Sequence, residues 1–162
     1  MSLDLKDFFL NSIMPHPEYM SIHCKFIPDD IFHRYQLQDK VHNNHVYCQI
    51  NKGMYGLPQA AVLAYDQLCA HLEPAGYIPI PGTSGMFKHV TRPTIFCLCV
   101  DDFGIKYYSK DDANHLITTL RAKYDCSVDW EGKNFCGLHY DWHYSKQYVD
   151  VSLPNYVQQA LQ

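Results

Sequence analysis

A chain of 162 residues is long enough for one globular domain that buries roughly two thirds of the surface its unfolded form would expose. Its 47% hydrophobic content, 13 tyrosines and lack of low-complexity tracts argue for a packed fold and against disorder. A formal net charge of −4 counts against a self-sufficient nucleic-acid binder, because phosphate backbones are held chiefly by Lys and Arg.

The N-terminus carries Asp4 and Asp7 where a secretory signal would carry a basic stretch and an apolar run. Nowhere is there a run of roughly eighteen apolar residues, so a soluble, intracellular, cytoplasmic protein without a membrane partner is expected. The 7 cysteines lack the close pairing of a zinc site or a secreted disulfide framework, and reduced, mostly packed thiols are expected.

In chain order, Leu3 to Leu10 reads as a first strand and Asn11 to Pro17, with its prolines, cannot form a long helix. Tyr19 to Phe26 reads as a strand. Pro28-Asp29-Asp30 opens a short helix through about Tyr35, where proline suits the first turn and acids suit the positive end of the dipole. Asn43-Asn44 suits a hairpin turn, which explains the histidines beside it better than a metal site does. From Pro58 the residues Leu63, Ala64, Leu68 and Leu72 recur at helical spacing until Pro74-Ala75-Gly76 ends the helix. Met86 to Val90, Thr94 to Val100 and Phe103 to Tyr108 read as strands. Ser109 with Asp112 starts a helix that Leu116, Ile117, Leu120 and Tyr124 continue. Phe135 to His143 and Tyr148 to Leu153 read as a last hairpin, and Pro154 begins a terminal helix.

Apart from an insertion after the first strand, the order strand, helix, hairpin, helix, hairpin resembles the split βαβ plan of ferredoxin-like folds. The expectation is a single α+β domain over residues 1–162: an antiparallel sheet with helices packed on one face, a β-hairpin insertion and a C-terminal hairpin.

Three Asp-Asp pairs stand in the chain. Asp29-Asp30 and Asp111-Asp112 begin helices, where dipole and capping effects account for them. Asp101-Asp102 instead interrupts two apolar strands and places adjacent carboxylates at the tip of a hairpin. An ordinary turn is one reading. The other is a site for hard divalent cations, which take carboxylate oxygens and, as two ions about 4 Å apart, clamp a phosphoryl displacement. Such a site needs a further carboxylate, and Asp4 on the first strand is the natural donor.

These segments resemble the reverse transcriptases of copia-type retrotransposons. Leu3-Asp4-Leu5-Lys6-Asp7-Phe8-Phe9-Leu10 is similar to the first motif of their palm. Lys52-Gly53-Met54-Tyr55-Gly56-Leu57-Pro58-Gln59-Ala60 is similar to the second, Cys99-Val100-Asp101-Asp102 to the Val-Asp-Asp hallmark, and Phe135-Cys136-Gly137-Leu138 to the hairpin that grips the primer strand. Cys99 and Ala61 depart from the pattern without removing a ligand.

The resemblance implies an RNA-directed DNA polymerase palm using an RNA template, a DNA primer and dNTPs, with two Mg²⁺ or Mn²⁺ ions on Asp4, Asp101 and Asp102. It implies that Phe9 selects deoxynucleotides, that Gly56 lets backbone approach the nucleotide, that Tyr55 contacts nucleotide or template, and that Lys133 protonates pyrophosphate. Strand or hairpin packing is the alternative for Tyr55, a positive-φ turn for Gly56, and an exposed turn lysine beside Gly132 for Lys133. It also implies an intracellular setting that includes virus-like particles. Asp4 stands three residues after Met1, so the fingers that precede this motif, and a thumb and RNase H domain after Gln162, are expected to be missing. A catalytically inactive or domesticated palm serving as a binding or assembly module is the alternative function; a small RNA-binding domain is disfavoured by the acidic balance.

Overall fold

The computed structural model describes residues 1–154 and 156–161. It is an α+β chain with antiparallel sheets, and its contacts divide it into two compact units, one of Met1–Phe8 with Tyr65–Gln162 and one of Phe9–Ala64.

The elements in chain order are β1 (Ser2–Leu5), β2 (Ile13–His23), α1 (Asp29–Arg34), β3 (Val41–His42), β4 (His45–Lys52), α2 (Pro58–Leu72), β5 (Tyr77–Pro79), β6 (Met86–His89), β7 (Ile95–Cys99) and β8 (Asp102–Lys106). They continue with α3 (Lys110–Arg121), β9 (Cys126–Asp129), β10 (Asn134–Phe135), β11 (Leu138–His143), β12 (Tyr148–Ser152) and α4 (Tyr156–Ala160).

In the first unit a six-stranded sheet runs β5-β6-β7-β8-β1-β9, with every neighbour antiparallel. Period-2 alternation sends Leu3 and Leu5 of β1, Phe96 of β7, and Phe103 and Ile105 of β8 into the core. Phe87 and Phe96 stack at 4.9 Å with rings 7° apart, and Phe103 lies 5.1 Å from Phe96. Leu68 and Leu72 of α2 and Leu116 and Leu120 of α3 are also fully buried. The two helices meet where His71 Nε2 lies 2.6 Å from the Thr119 carbonyl, and the Tyr77 hydroxyl, 2.9 Å from His115 Nδ1, ties β5 to α3. Ser109 caps α3: its Oγ accepts from the Asp112 N–H while Asp112 reaches back to the Ser109 N–H.

A second sheet of this unit, β10-β11-β12, carries the C-terminal hairpin. In the other unit β4 is central in the order β2-β4-β3, which leaves Pro15 and Pro17 on an edge strand whose register shifts between Ile13 and Glu18.

The structure corrects several expected boundaries. The first strand ends at Leu5 rather than Leu10, because Asp7 takes a φ of 51° and a 3-10 turn follows at Phe9–Asn11. The second strand starts at Ile13, the edge position tolerating its prolines, and ends at His23 in a 3-10 turn over Cys24–Phe26. Phe135–His143 is not one strand, since Cys136 (φ 51°) and Gly137 (φ 74°) form a two-residue turn between β10 and β11. α3 ends at Arg121, with buried Tyr124 beyond it. The Asn43-Asn44 turn is as expected, with φ of 48° and 60° between paired His42 and His45.

Candidate functional site

Asp4 and Asp102 are directly opposed across β1 and β8. Backbone bonds close the flanking pairs: Leu5 N donates to the Asp101 carbonyl at 3.0 Å, and Ile105 N donates to the Met1 carbonyl at 2.9 Å. Antiparallel pairs alternate, so Asp4 and Asp102 form a non-hydrogen-bonded pair, the narrow kind with Cα atoms about 4.5 Å apart and side chains on one face. The opposite face carries Leu3 and Phe103 into the core. The same register therefore builds the core and sets two carboxylates side by side.

Asp101 stands beside them in the turn. Cys99 pairs with Asp102, leaving Val100-Asp101 as a two-residue loop, so the tip is Val100-Asp101 and Asp102 belongs to β8. Val100 has a φ of 60° and Asp101 does not share the positive sign, the pattern of a II′ turn. A β-branched residue in that region is a strained outlier.

Carboxylates accumulate at this end of β1 and β8. Burial, then Asp101, raise the Asp4 carboxyl above the ordinary carboxylate range, and Lys6 only partly offsets this. Asp102 is raised by burial, then by Asp101 and Asp4, against hydrogen bonds from Cys136. Both acids are destabilised in their charged form, which is the condition a bound cation relieves.

A pocket of about 320 Å³ opens onto this pair, with Asp4, Asp102, Ser127 and Asp129 on the sheet, Asn134 from β10 and Cys136 from the β10–β11 turn. Phe135 lies against the sheet here because Gly104 has no side chain: a Cβ there would meet Cys97 Sγ at 2.7 Å and the Phe135 ring at 3.4 Å. Asp129 anchors the approach to that turn by accepting four backbone N–H groups, from Glu131, Gly132, Lys133 and Asn134 at 2.7–3.2 Å. Burial pushes its carboxyl up, but those four donors outweigh burial and hold it below the usual range. A larger neighbouring pocket of about 790 Å³ is walled by aromatic residues and no carboxylate, so it is not where cation chemistry would occur.

No family model, curated protein or solved structure matches this chain. The functional reading therefore rests on the residues themselves.

The oxygens that Asp4, Asp101 and Asp102 offer suit a hard divalent cation. Among the described residues, however, the one trio of potential ligands whose donor atoms all lie within 4.8 Å of one another is Asp141, His143 and Asp150. That trio is exposed and has a structural explanation. Asp141 and Asp150 are like charges directly opposed on β11 and β12, and His143 Nε2 bridges them at 3.4 and 3.1 Å. The Asp4 trio is less tightly gathered, and side-chain rotation must bring it onto a shared ion.

The other expected residues are distributed as follows. Phe9, Tyr55 and Gly56 all lie in the second unit. Phe9 is buried and meets Tyr55 edge-on at 4.5 Å, while Gly56 has a φ of 94° and open space around its Cα, so its backbone conformation is what demands glycine. Lys133 sits in the turn before β10 with its ammonium paired to Glu131, which holds it above the usual lysine value, the opposite direction from a general acid working near neutrality.

Cys99 and Cys136 were missed as residues of this site. Cys99 at the end of β7 shares a face with Asp102, and Cys136 lines the same pocket as Asp102. Period-2 counting from Asp102 across the hairpin identifies Cys99, but nothing local in the sequence identifies Cys136. Among the described residues no helix is long and apolar enough to cross a membrane.

Proposed function

We propose that this chain is a ferredoxin-like polymerase palm of the copia-type reverse transcriptase kind, performing RNA-directed transfer of a nucleotidyl group from a dNTP to a primer 3′-hydroxyl. The observation that carries the proposal is the narrow pairing of Asp4 with Asp102 beside the strained Val100-Asp101 tip. The inner strand order β7-β8-β1-β9, with a helix before β7 and another between β8 and β9, supports the same reading, since it is the order of a split βαβ sheet.

In the reaction the 3′-hydroxyl oxygen attacks the α-phosphorus, a new P–O bond forms, and the bond to pyrophosphate breaks. Mg²⁺ or Mn²⁺ ions on these carboxylates would lower the hydroxyl pKa and offset charge on the departing pyrophosphate. The chain's own contribution is placement: β1 and β8 fix Asp4 and Asp102, and the turn presents Asp101 beside them. Phe9, packed on Tyr55, would exclude a ribose 2′-hydroxyl, and the β10–β11 turn would hold the primer end. RNA template and DNA primer are the partners on this reading, in an intracellular setting.

Primer extension on an RNA template with Mg²⁺ or Mn²⁺ tests it, comparing the chain, a version supplied with fingers, and Asp101→Ala in each. Template-dependent nucleotide addition that disappears in Asp101→Ala is expected. If neither unmutated version extends a primer, the catalytic reading is wrong and a palm acting as a binding or assembly module takes its place.

A further inference from the structure

The cavity of about 790 Å³ takes no part in the carboxylate chemistry, and its size is that of a small-molecule pocket, roughly 300–1,000 Å³. Side chains line it from β8, from the turn between β9 and β10, and from β11. Alternation along β11 puts Tyr140 and Trp142 on one face, and Tyr144 just beyond the strand continues the row. Trp142 stacks on Tyr140 at 5.9 Å with the rings 15° apart, and on Tyr144 at 5.8 Å with the rings 7° apart. Its indole N–H donates to the Gly132 carbonyl at 2.8 Å, which fixes the rotation of the ring. In the β9–β10 turn, Trp130 meets Tyr107 edge-on at 6.2 Å. These rings are set before any ligand arrives, yet Trp130 and Trp142 remain 42% and 41% exposed. Flat apolar surface held open in a cavity suits a ring-shaped ligand, because rings gain from offset or edge-on contact and no side chain must be ordered on binding.

Charge decides which ring-shaped ligand fits. Aromatic walls commonly attract ammonium groups. Here the chain's own lysine fills that role, since Lys110 Nζ lies 5.8 Å from the centroid of Trp130. Lys106 is the one charged side chain among the described residues that line the cavity. The acids of the β9–β10 turn are engaged elsewhere: Glu131 pairs with Lys133, and Asp129 accepts its four backbone N–H groups. A cationic ligand would meet two lysines and no opposing carboxylate, whereas an anionic one gains an ion pair.

We propose that this cavity binds a flat, fused-ring aromatic molecule carrying one negative group, with its rings against Trp130 and Trp142 and its anion at Lys106. The proposal is independent of the polymerase reading, because Asp4, Asp101 and Asp102 do not line the cavity.

The test titrates the full chain with anilinonaphthalene sulfonate and with phenylnaphthylamine, which has the same rings and no charge. Both of the chain's 2 tryptophans line the cavity, so energy transfer from tryptophan to bound probe reports its occupancy. Saturable binding of one sulfonate per chain is expected, about fivefold tighter than the neutral amine. Lys106→Gln, a change at an exposed position, should abolish that preference and leave the amine's affinity unchanged. Trp142→Ala, followed by the probe's own emission and with its fold checked by circular dichroism, should weaken both probes about tenfold, and Trp142→Phe should recover part of the loss. If Trp142→Ala does not fold, Lys106→Gln decides alone. Equal affinity for the two probes, several probes per chain, an absence of saturation, or sulfonate binding indifferent to Lys106→Gln each overturns the proposal.

Discussion

Burial and neighbouring carboxylates disfavour the charged forms of Asp4 and Asp102. Their carboxyls are raised in the folded chain, so the native state binds protons more tightly than the unfolded one. Between the unfolded and folded pKa values stability must then fall as pH rises, and the full contribution is present only below the unfolded value. Asp4→Asn and Asp102→Asn are therefore expected to raise Tm at neutral pH, by about 2–4 °C for each kcal/mol of repulsion relieved in a chain of this size. Mg²⁺ should raise the Tm of the unmutated chain and have less effect on either variant. Thermal melts with and without the ion check both statements, and an unmutated Tm indifferent to Mg²⁺ at millimolar concentration removes the cation site. Val100 is the second strained residue. It is 50% exposed, so little packing is lost in Val100→Gly, and release from a positive φ should stabilise the fold by up to about 1 kcal/mol in urea unfolding. A loss of stability would mean that Val100 packs more than its exposure suggests.

At the scale of elements, the parts with a local cause were legible and those set by pairing were not. Ser109 and Asp112 announced the start of α3 through a capping box, so Ser109→Ala should cost about 1 kcal/mol in urea unfolding, and no change would deny the cap its role. Asn43-Asn44 fixed its hairpin in the same way, because both residues tolerate positive φ. By contrast, the break of the first strand after Leu5 hangs on Asp7 at φ 51°, which no alternation pattern reveals. The division of Phe135–His143 likewise hangs on a turn that begins at a cysteine. The pocket wall depends on Asp129, whose four backbone bonds only become visible once the loop is closed. Bonds to a charged acceptor are worth more than neutral ones, so Asp129→Ala should cost on the order of 2 kcal/mol. Hydrogen exchange across residues 130–137 should rise with it. Exchange unchanged there would show that β10 and β11 hold the turn unaided.

At the scale of the whole chain, the Asp101-Asp102 pair could be singled out because the other two pairs had helix starts to explain them, and the structure puts Asp29-Asp30 and Asp111-Asp112 in the first turns of α1 and α3. The register that opposes Asp4 to Asp102 lies beyond sequence reasoning, since it is chosen by the core on the reverse face of the same strands. Sliding β1 by one residue would send Leu3 and Leu5 to the carboxylate face and Asp4 into the core, and the desolvation of Asp4 forbids that. Site and core are thus one commitment. Phe96, stacked on Phe87 and beside Tyr77 and Phe103, is the residue on which that commitment converges. Phe96→Ala should cost about 3–5 kcal/mol, a large share of the roughly 5–15 kcal/mol that a domain has in total. Because β7 pairs with the strand that carries Asp102, the same substitution should weaken Mg²⁺ binding by loosening the Asp4–Asp102 register, without touching either carboxylate. Phe96→Leu, which keeps most of the volume, should recover both stability and binding. Urea unfolding and calorimetric Mg²⁺ titration of the pair decide it: stability lost with binding unchanged would show that the carboxylates hold their geometry independently of the core behind them.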